Sequence, residues 1–180
     1  MVTGNYSMTQ RSGFTPFVSL LSLAFLFFTG SAVAQNSARE QLVGTWNVVL
    51  VDNVRPDGSR IQLYGPNPRG IAMFDADGHY ALQIMSEGRP NFAANDKSKG
   101  TPEEYKAAIQ GSNCHSGRYS VDELDHTVTL HVENATFSNW EGTDLKLPFA
   151  VTGDESKITI PHPTTGGSDV VGEVLLKRAR

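Results

Sequence analysis

From residue 42 to residue 178 the chain is a succession of short runs in which apolar and polar side chains alternate, each stopped by glycine, proline, asparagine or aspartate. A period of two gives an extended strand one apolar face. A chain of many such strands must turn those faces toward one another, as a two-sheet sandwich or as a sheet closed on itself. The runs fall at residues 42–51, 61–64, 70–75, 79–85, 116–121, 128–134, 145–151, 157–160 and 170–177. Even spacing with tight turns favours an up-and-down meander, and closure removes the two exposed edges of an open sheet. The sandwich would call for Greek-key crossovers. The expected fold is therefore all-β, an antiparallel barrel of about eight to nine strands.

Two hairpins set their own register. Ala76, Asp77 and Gly78 form a three-residue loop with glycine at the bulge position, which pairs Asp75 with His79. In the second hairpin, pairing Val121 with Val128 and Tyr119 with Leu130 keeps one side uniformly apolar; a slip of one residue would scramble it. The other side then carries Arg118 beside His131 and Ser116 beside Glu133. One short helix is expected at residues 101–111. Thr101 is its N-cap, Pro102 opens it, Glu104 completes a capping box, Gly111 ends it, and Tyr105 and Ile109 supply a stripe to dock on the barrel. Residues 86–100 are polar and read as a long loop.

Residues 1–34 read as an address. Arg11 is their one charged side chain, residues 17–28 are apolar but fall short of the roughly 20 residues a membrane span needs, and Ala32, Val33 and Ala34 make a small-x-small cleavage pattern. Cleavage after Ala34 leaves an exported domain at residues 35–180, periplasmic or secreted, with nothing left to insert stably in a membrane. The net charge of −4, spread without blocks of one sign, argues against nucleic acid and anionic lipid as partners. Cys114 is the only cysteine, so no internal disulfide forms, and burial is the expected fate of its thiol. The five histidines lack metal-ligand spacing and no phosphate loop is present, so neither metal nor cofactor is expected.

Several segments, taken in order, resemble the bacterial and fungal lipocalin-like domain family of the calycin group. They are Gly44-Thr45-Trp46, Tyr64-Gly65-Pro66-Asn67-Pro68, Phe74-Asp75-Ala76-Asp77-Gly78, Gly117-Arg118-Tyr119, His131-Val132-Glu133 and Asn139-Trp140-Glu141-Gly142. The resemblance implies a lipocalin-like antiparallel barrel. In the wider group, a first-strand tryptophan closes the barrel floor and a basic residue of the last strand packs over it. Here Gly44 and Trp46 match the first role and Arg178 the second. The other classical lipocalin motif, near the sixth and seventh strands, is absent, so no particular ligand is implied.

With apolar faces inward, the lumen is lined by Phe74, Tyr80 and Leu82, by Tyr119, Leu130 and Val132, and by Leu147 and Phe149, while Trp140 either caps the mouth or plugs the end of the core. Aromatic and aliphatic walls with a few hydroxyls suit a small hydrophobic molecule. Two alternatives stand beside binding. One is a cyclase, isomerase or hydratase using the same pocket, with His131 and Glu133 as acid–base pair if those faces turn inward. The other is a barrel filled by its own side chains and acting through protein contacts.

Overall fold

In the computed structural model, residues 1–5, 36–167 and 169–180 are described. Apart from residues 1–5, the expected leader and its cleavage point lie outside them. The strands are β1 (Gly44–Val54), β2 (Arg60–Gln62), β3 (Arg69–Phe74), β4 (His79–Met85), β5 (Ser112–Asp122), β6 (Thr127–Ala135), β7 (Asp144–Thr152), β8 (Glu155–Ile160) and β9 (Val171–Arg178). All pair antiparallel in one sheet, and β9 pairs back onto β1, so the sheet closes. Eight strands make the barrel and β2 is an addition to it. Both β2 and β3 lie along the same edge of β1, β2 opposite Val54–Asp52 and β3 opposite Asn47–Gly44. Between them the register shifts by four residues. The excursion through Gly65, Pro66, Asn67 and Pro68 takes up that shift, and the inward set passes from Leu63 on one side of it to Ala72 and Phe74 on the other.

The second hairpin pairs Val121 with Val128, Tyr119 with Leu130 and Arg118 with His131, the register that alternation demands. Beyond Gly117 the pattern departs from expectation. A bulge puts Ser116 opposite Asn134, so Ser116 and Glu133 are not partners. β5 also starts at Ser112 rather than Ser116. That extension carries the inward alternation through Gly117 to His115, both buried. A second bulge, between Val48 and Leu50 in β1, changes parity, so that Trp46 and Val48 are buried below it and Val51 and Asn53 above it.

The expected helix is α2 (Pro102–Gln110), with Thr101 as N-cap, its capping box to Glu104 complete, and Gly111 as C-cap. Its apolar stripe does not dock as expected: Tyr105 is 40% and Ile109 63% exposed. Tyr105 packs against Phe92 of the preceding loop instead, ring centroids 5.5 Å apart, and its hydroxyl accepts from the Gly100 N–H. The preceding loop, not the barrel wall, takes up its apolar surface.

An unexpected helix, α1 (Ala38–Leu42), closes one end of the barrel. Ser37 and Glu40 cap it reciprocally, and the Glu123 carboxylate, from the β5–β6 turn, accepts the N–H groups of Ala38 and Arg39 at 2.6 and 3.0 Å. Leu42 is fully buried. At the other end of α1, Trp46 Nε1–H donates to the Leu42 carbonyl at 2.8 Å, and Arg178 donates to the carbonyls of Val43 and Gln41 at 2.9 and 2.7 Å. The Arg178 guanidinium lies 4.1 Å from the centre of the Trp46 ring. Gly44 has φ 131°, and a Cβ there would come within 2.7 Å of that guanidinium. Glycine, tryptophan and arginine therefore form one closure of the floor.

Candidate functional site

Above the floor the barrel is hollow. A cavity of about 830 Å³ opens toward the end opposite α1, where the β6–β7 and β8–β9 loops and the last turn of α2 meet. Its size falls in the range of small-molecule sites and is far more than unfilled packing leaves in a core. Phe74, Tyr80, Leu82, Ile84, Leu130 and Leu147 border it, as expected from alternation, while Val132 is buried without bordering it. Tyr119 and Phe149 do not border it. They are buried beneath, where the Tyr119 hydroxyl donates to the Asp75 carbonyl at 2.6 Å and its ring meets Phe74 edge-on at 5.2 Å. Position along the barrel axis, which alternation does not encode, separates the two groups.

Trp140 stands at the mouth. It ends a short 3-10 turn, Ser138–Trp140, borders the cavity, and packs edge-on against His115 and Phe137, each at 5.5 Å. The cap and the plug are thus resolved in favour of a half-buried ring beside an open space.

His115 is the polar group that strand alternation could have found and the shorter β5 concealed. It is 7% exposed, borders the cavity, and its Nδ1 lies 3.0 Å from the Tyr80 hydroxyl. Among the described residues no hydrogen-bond partner meets its Nε2. Burial lowers the pKa of His115 to about 4 and raises that of Tyr80, with the nearby Glu133 charge adding to the latter. Both groups are accordingly neutral around pH 7. On the far wall Asn53, fully buried, donates from its amide to the Thr165 carbonyl at 2.5 Å, and its Oδ1 has no partner. The carbonyl fixes which way the amide points, because only its NH₂ can face an acceptor. The cavity therefore has a largely apolar wall with buried polar groups at His115 and Asn53, and further polar side chains, among them Tyr64, Asn113 and Lys146, on its lining.

The neutral imidazole has a measurable consequence. In the unfolded chain His115 protonates near its ordinary 6.5, but in the native state only near 4. The unfolded state thus binds more protons in between. Stability is full above pH 6.5 and falls as the pH drops toward 4, by on the order of 3 kcal/mol. His115→Gln removes this titration while the shared carboxylates cancel in the comparison. The stability gap between wild type and His115→Gln, read from urea unfolding, should shift by that amount between pH 7 and pH 4. A gap independent of pH would contradict it.

The candidate acid–base pair of the catalytic alternative, which needed reversed faces, is not brought to the cavity. His131 is on the outer face, exposed, with its Nδ1 2.6 Å from Asp144 Oδ1 of β7 and its Nε2 3.4 Å from Ser120 Oγ. Glu133, at the bulge, is not its partner. The serine, histidine and aspartate follow one another as in a nucleophilic triad, but neither Ser120 nor His131 borders the cavity, and both are exposed on the outer face of the sheet. Arg118 reaches His79 Nε2 at 3.3 Å rather than His131. Cys114 is half-buried, its expected burial prevented by an outward position next to inward His115. Among the described residues, no cluster of three or more His, Cys, Asp or Glu side chains is placed to hold a metal, and no helix is long and apolar enough to cross a membrane.

A family model described as a lipocalin-like domain matches residues 43–179. Over 89 residues the chain is 29% identical to the 4'-hydroxy-3'-methoxypropiophenone carrier protein ppsC of Aspergillus oryzae, a match that covers 46% of this chain and 80% of that protein. Among solved structures, a redesigned beta barrel is similar with a TM-score of 0.40 and 13% identity, covering 80% of this chain and 96% of its own. EF1p2_mFAP2b bound to DFHBI is similar with a TM-score of 0.38 and 12% identity, covering 80% of this chain and all of its own.

Proposed function

The chain belongs to the lipocalin-like domain family, and from that premise we propose that it is an exported carrier holding a small, uncharged, largely aromatic molecule in the mouth half of its barrel. The observation that carries this reading is the 830 Å³ cavity, open at one end and walled by Phe74, Leu82, Leu130 and Trp140. An apolar molecule transferred there gains about 25 cal/mol for each Å² it removes from water. The similarity to a fungal carrier of a methoxylated aryl ketone supports the same ligand class. Export rests on the apolar run at residues 17–28 and the Ala32-Val33-Ala34 pattern. N-terminal sequencing of protein recovered from outside the cytoplasm should begin at Gln35; an intact Met1 would contradict the leader.

The placement of the histidines supports the carrier over the catalytic alternative. His131 faces solvent, and His115, with its basicity depressed by burial, is a poor proton acceptor near neutrality.

The test uses the two tryptophans separately. Trp46 is sealed in the floor, so quenching by a ligand should come from Trp140 alone. Titration with 4'-hydroxy-3'-methoxypropiophenone should quench the wild type and leave Trp140→Phe unquenched. The ligand at a hundred times Kd should stabilise the fold by about 2.7 kcal/mol, seen as a higher Tm, without turnover. An unchanged Tm at millimolar probe would refute the carrier.

A further inference from the structure

We infer that His115, oriented by Tyr80, is the polar anchor of the cavity and takes the carbonyl oxygen of an uncharged aryl ketone through its Nε2–H. The inference rests on the carrier reading and narrows its ligand. It begins with a count of protons. Two neutral groups, a phenol and an imidazole, carry two exchangeable protons between them and share one hydrogen bond of 3.0 Å. If the Tyr80 hydroxyl donates to Nδ1, the second proton sits on Nε2 of a ring that borders the cavity. If Nδ1–H donates instead, it is the phenol proton that lacks a partner among the described residues. Either way one proton is left for a ligand, and the strength of the shared bond decides which. Phenol is the better donor of the two, and the imidazole nitrogen the better acceptor. Tyr80 thus selects the Nε2–H form, and Tyr80 acts as a positioning residue.

A neutral donor on a largely apolar wall asks for a neutral acceptor. Lys146, the lysine that borders the cavity, is exposed on β7 and is not among the hydrogen-bond partners of His115 or Tyr80, so an anion at the anchor would shed its hydration with no cation beside it. The charge that reaches Tyr80 is the negative one of Glu133, which repels an anion. Trp140 stands at 85° to the imidazole, and Phe74, Leu82 and Leu130 leave apolar wall for an aryl ring. Carbonyl toward His115 and ring against those walls is the arrangement that satisfies both.

Two probes isolate the anchor: 4'-hydroxy-3'-methoxypropiophenone and 2-methoxy-4-propylphenol, which differ by the carbonyl. Wild type should bind the ketone about tenfold more tightly. His115→Phe should bind both alike, keeping its affinity for the propylphenol within about threefold of wild type, and His115→Gln, which retains an N–H, should recover part of the preference. Independently of any ligand, ¹⁵N NMR at pH 7 should show the His115 Nε2–H tautomer in wild type and a mixture in Tyr80→Phe. Equal binding of the two probes by wild type, a ketone preference that survives His115→Phe, or an Nδ1–H tautomer would overturn the anchor. In those cases binding of the propylphenol would leave the carrier standing; failure of both probes to bind would remove the carrier and the anchor together.

Discussion

Trp46→Ala is expected to destabilise the domain by about 4 kcal/mol, as removal of a buried tryptophan does when the surroundings cannot collapse. They cannot here. The ring is fully buried, its indole N–H holds the Leu42 carbonyl, and Arg178 covers one face at 4.1 Å. The floor is made from two distant stretches of chain, the consecutive α1 and β1 and the C-terminal β9, and the ring is where they meet. Arg178→Met should cost less, about 2 kcal/mol, because it leaves the carbonyls of Gln41 and Val43 without their donor. The two losses should not add. A double-mutant cycle by urea unfolding should show a coupling of about 1 kcal/mol from the cation–ring contact. Additive losses, or a Trp46→Ala cost under 2 kcal/mol, would show the floor to be less integrated than its contacts.

A single methyl group at Gly117 should be comparably harmful. A Cβ there would lie 2.1 Å from the His131 carbonyl oxygen and 2.9 Å from the Glu133 nitrogen. Both are backbone atoms of β6, so no side chain can swing away. Retreat in the other direction is blocked as well, because Gly117 pairs with Tyr80 of β4 on its opposite edge. Gly117→Ala should therefore break the β5–β6 ladder at its bulge and cost about 3–5 kcal/mol. Gly88→Ala is the control: nothing lies within 4 Å of its would-be Cβ, and its stability should stay within about 0.5 kcal/mol of wild type. Equal urea midpoints for the two variants would contradict the close approach.

Much of this architecture is local, and local patterns expose it. The β5–β6 register follows from matching apolar positions across a short turn, and α2 from a cap, a proline and a glycine in sequence. The signal for α1 was equally local, since Ser37 and Glu40 stand in the same spacing as Thr101 and Glu104. The site was less legible. His115 belongs to the inward set, but only if β5 extends to Ser112, and Ser112, Asn113, Cys114 and His115 at its start carry no apolar alternation to say so. His131 and Glu133 suggested an acid–base pair by proximity along a strand, whereas the carboxylate that His131 meets comes from β7, thirteen residues on.

By itself the sequence determined which side chains face inward within each strand, where most turns fall, and that an all-β barrel closes them, because alternation and turn chemistry act over a few residues. Only the tertiary structure decided how high in the barrel each inward residue sits. That height depends on bulges, strand stagger and the arrival of distant chain at the floor, and it separates the packed layer around Trp46, Tyr119 and Phe149 from the hollow layer around Tyr80, His115 and Trp140.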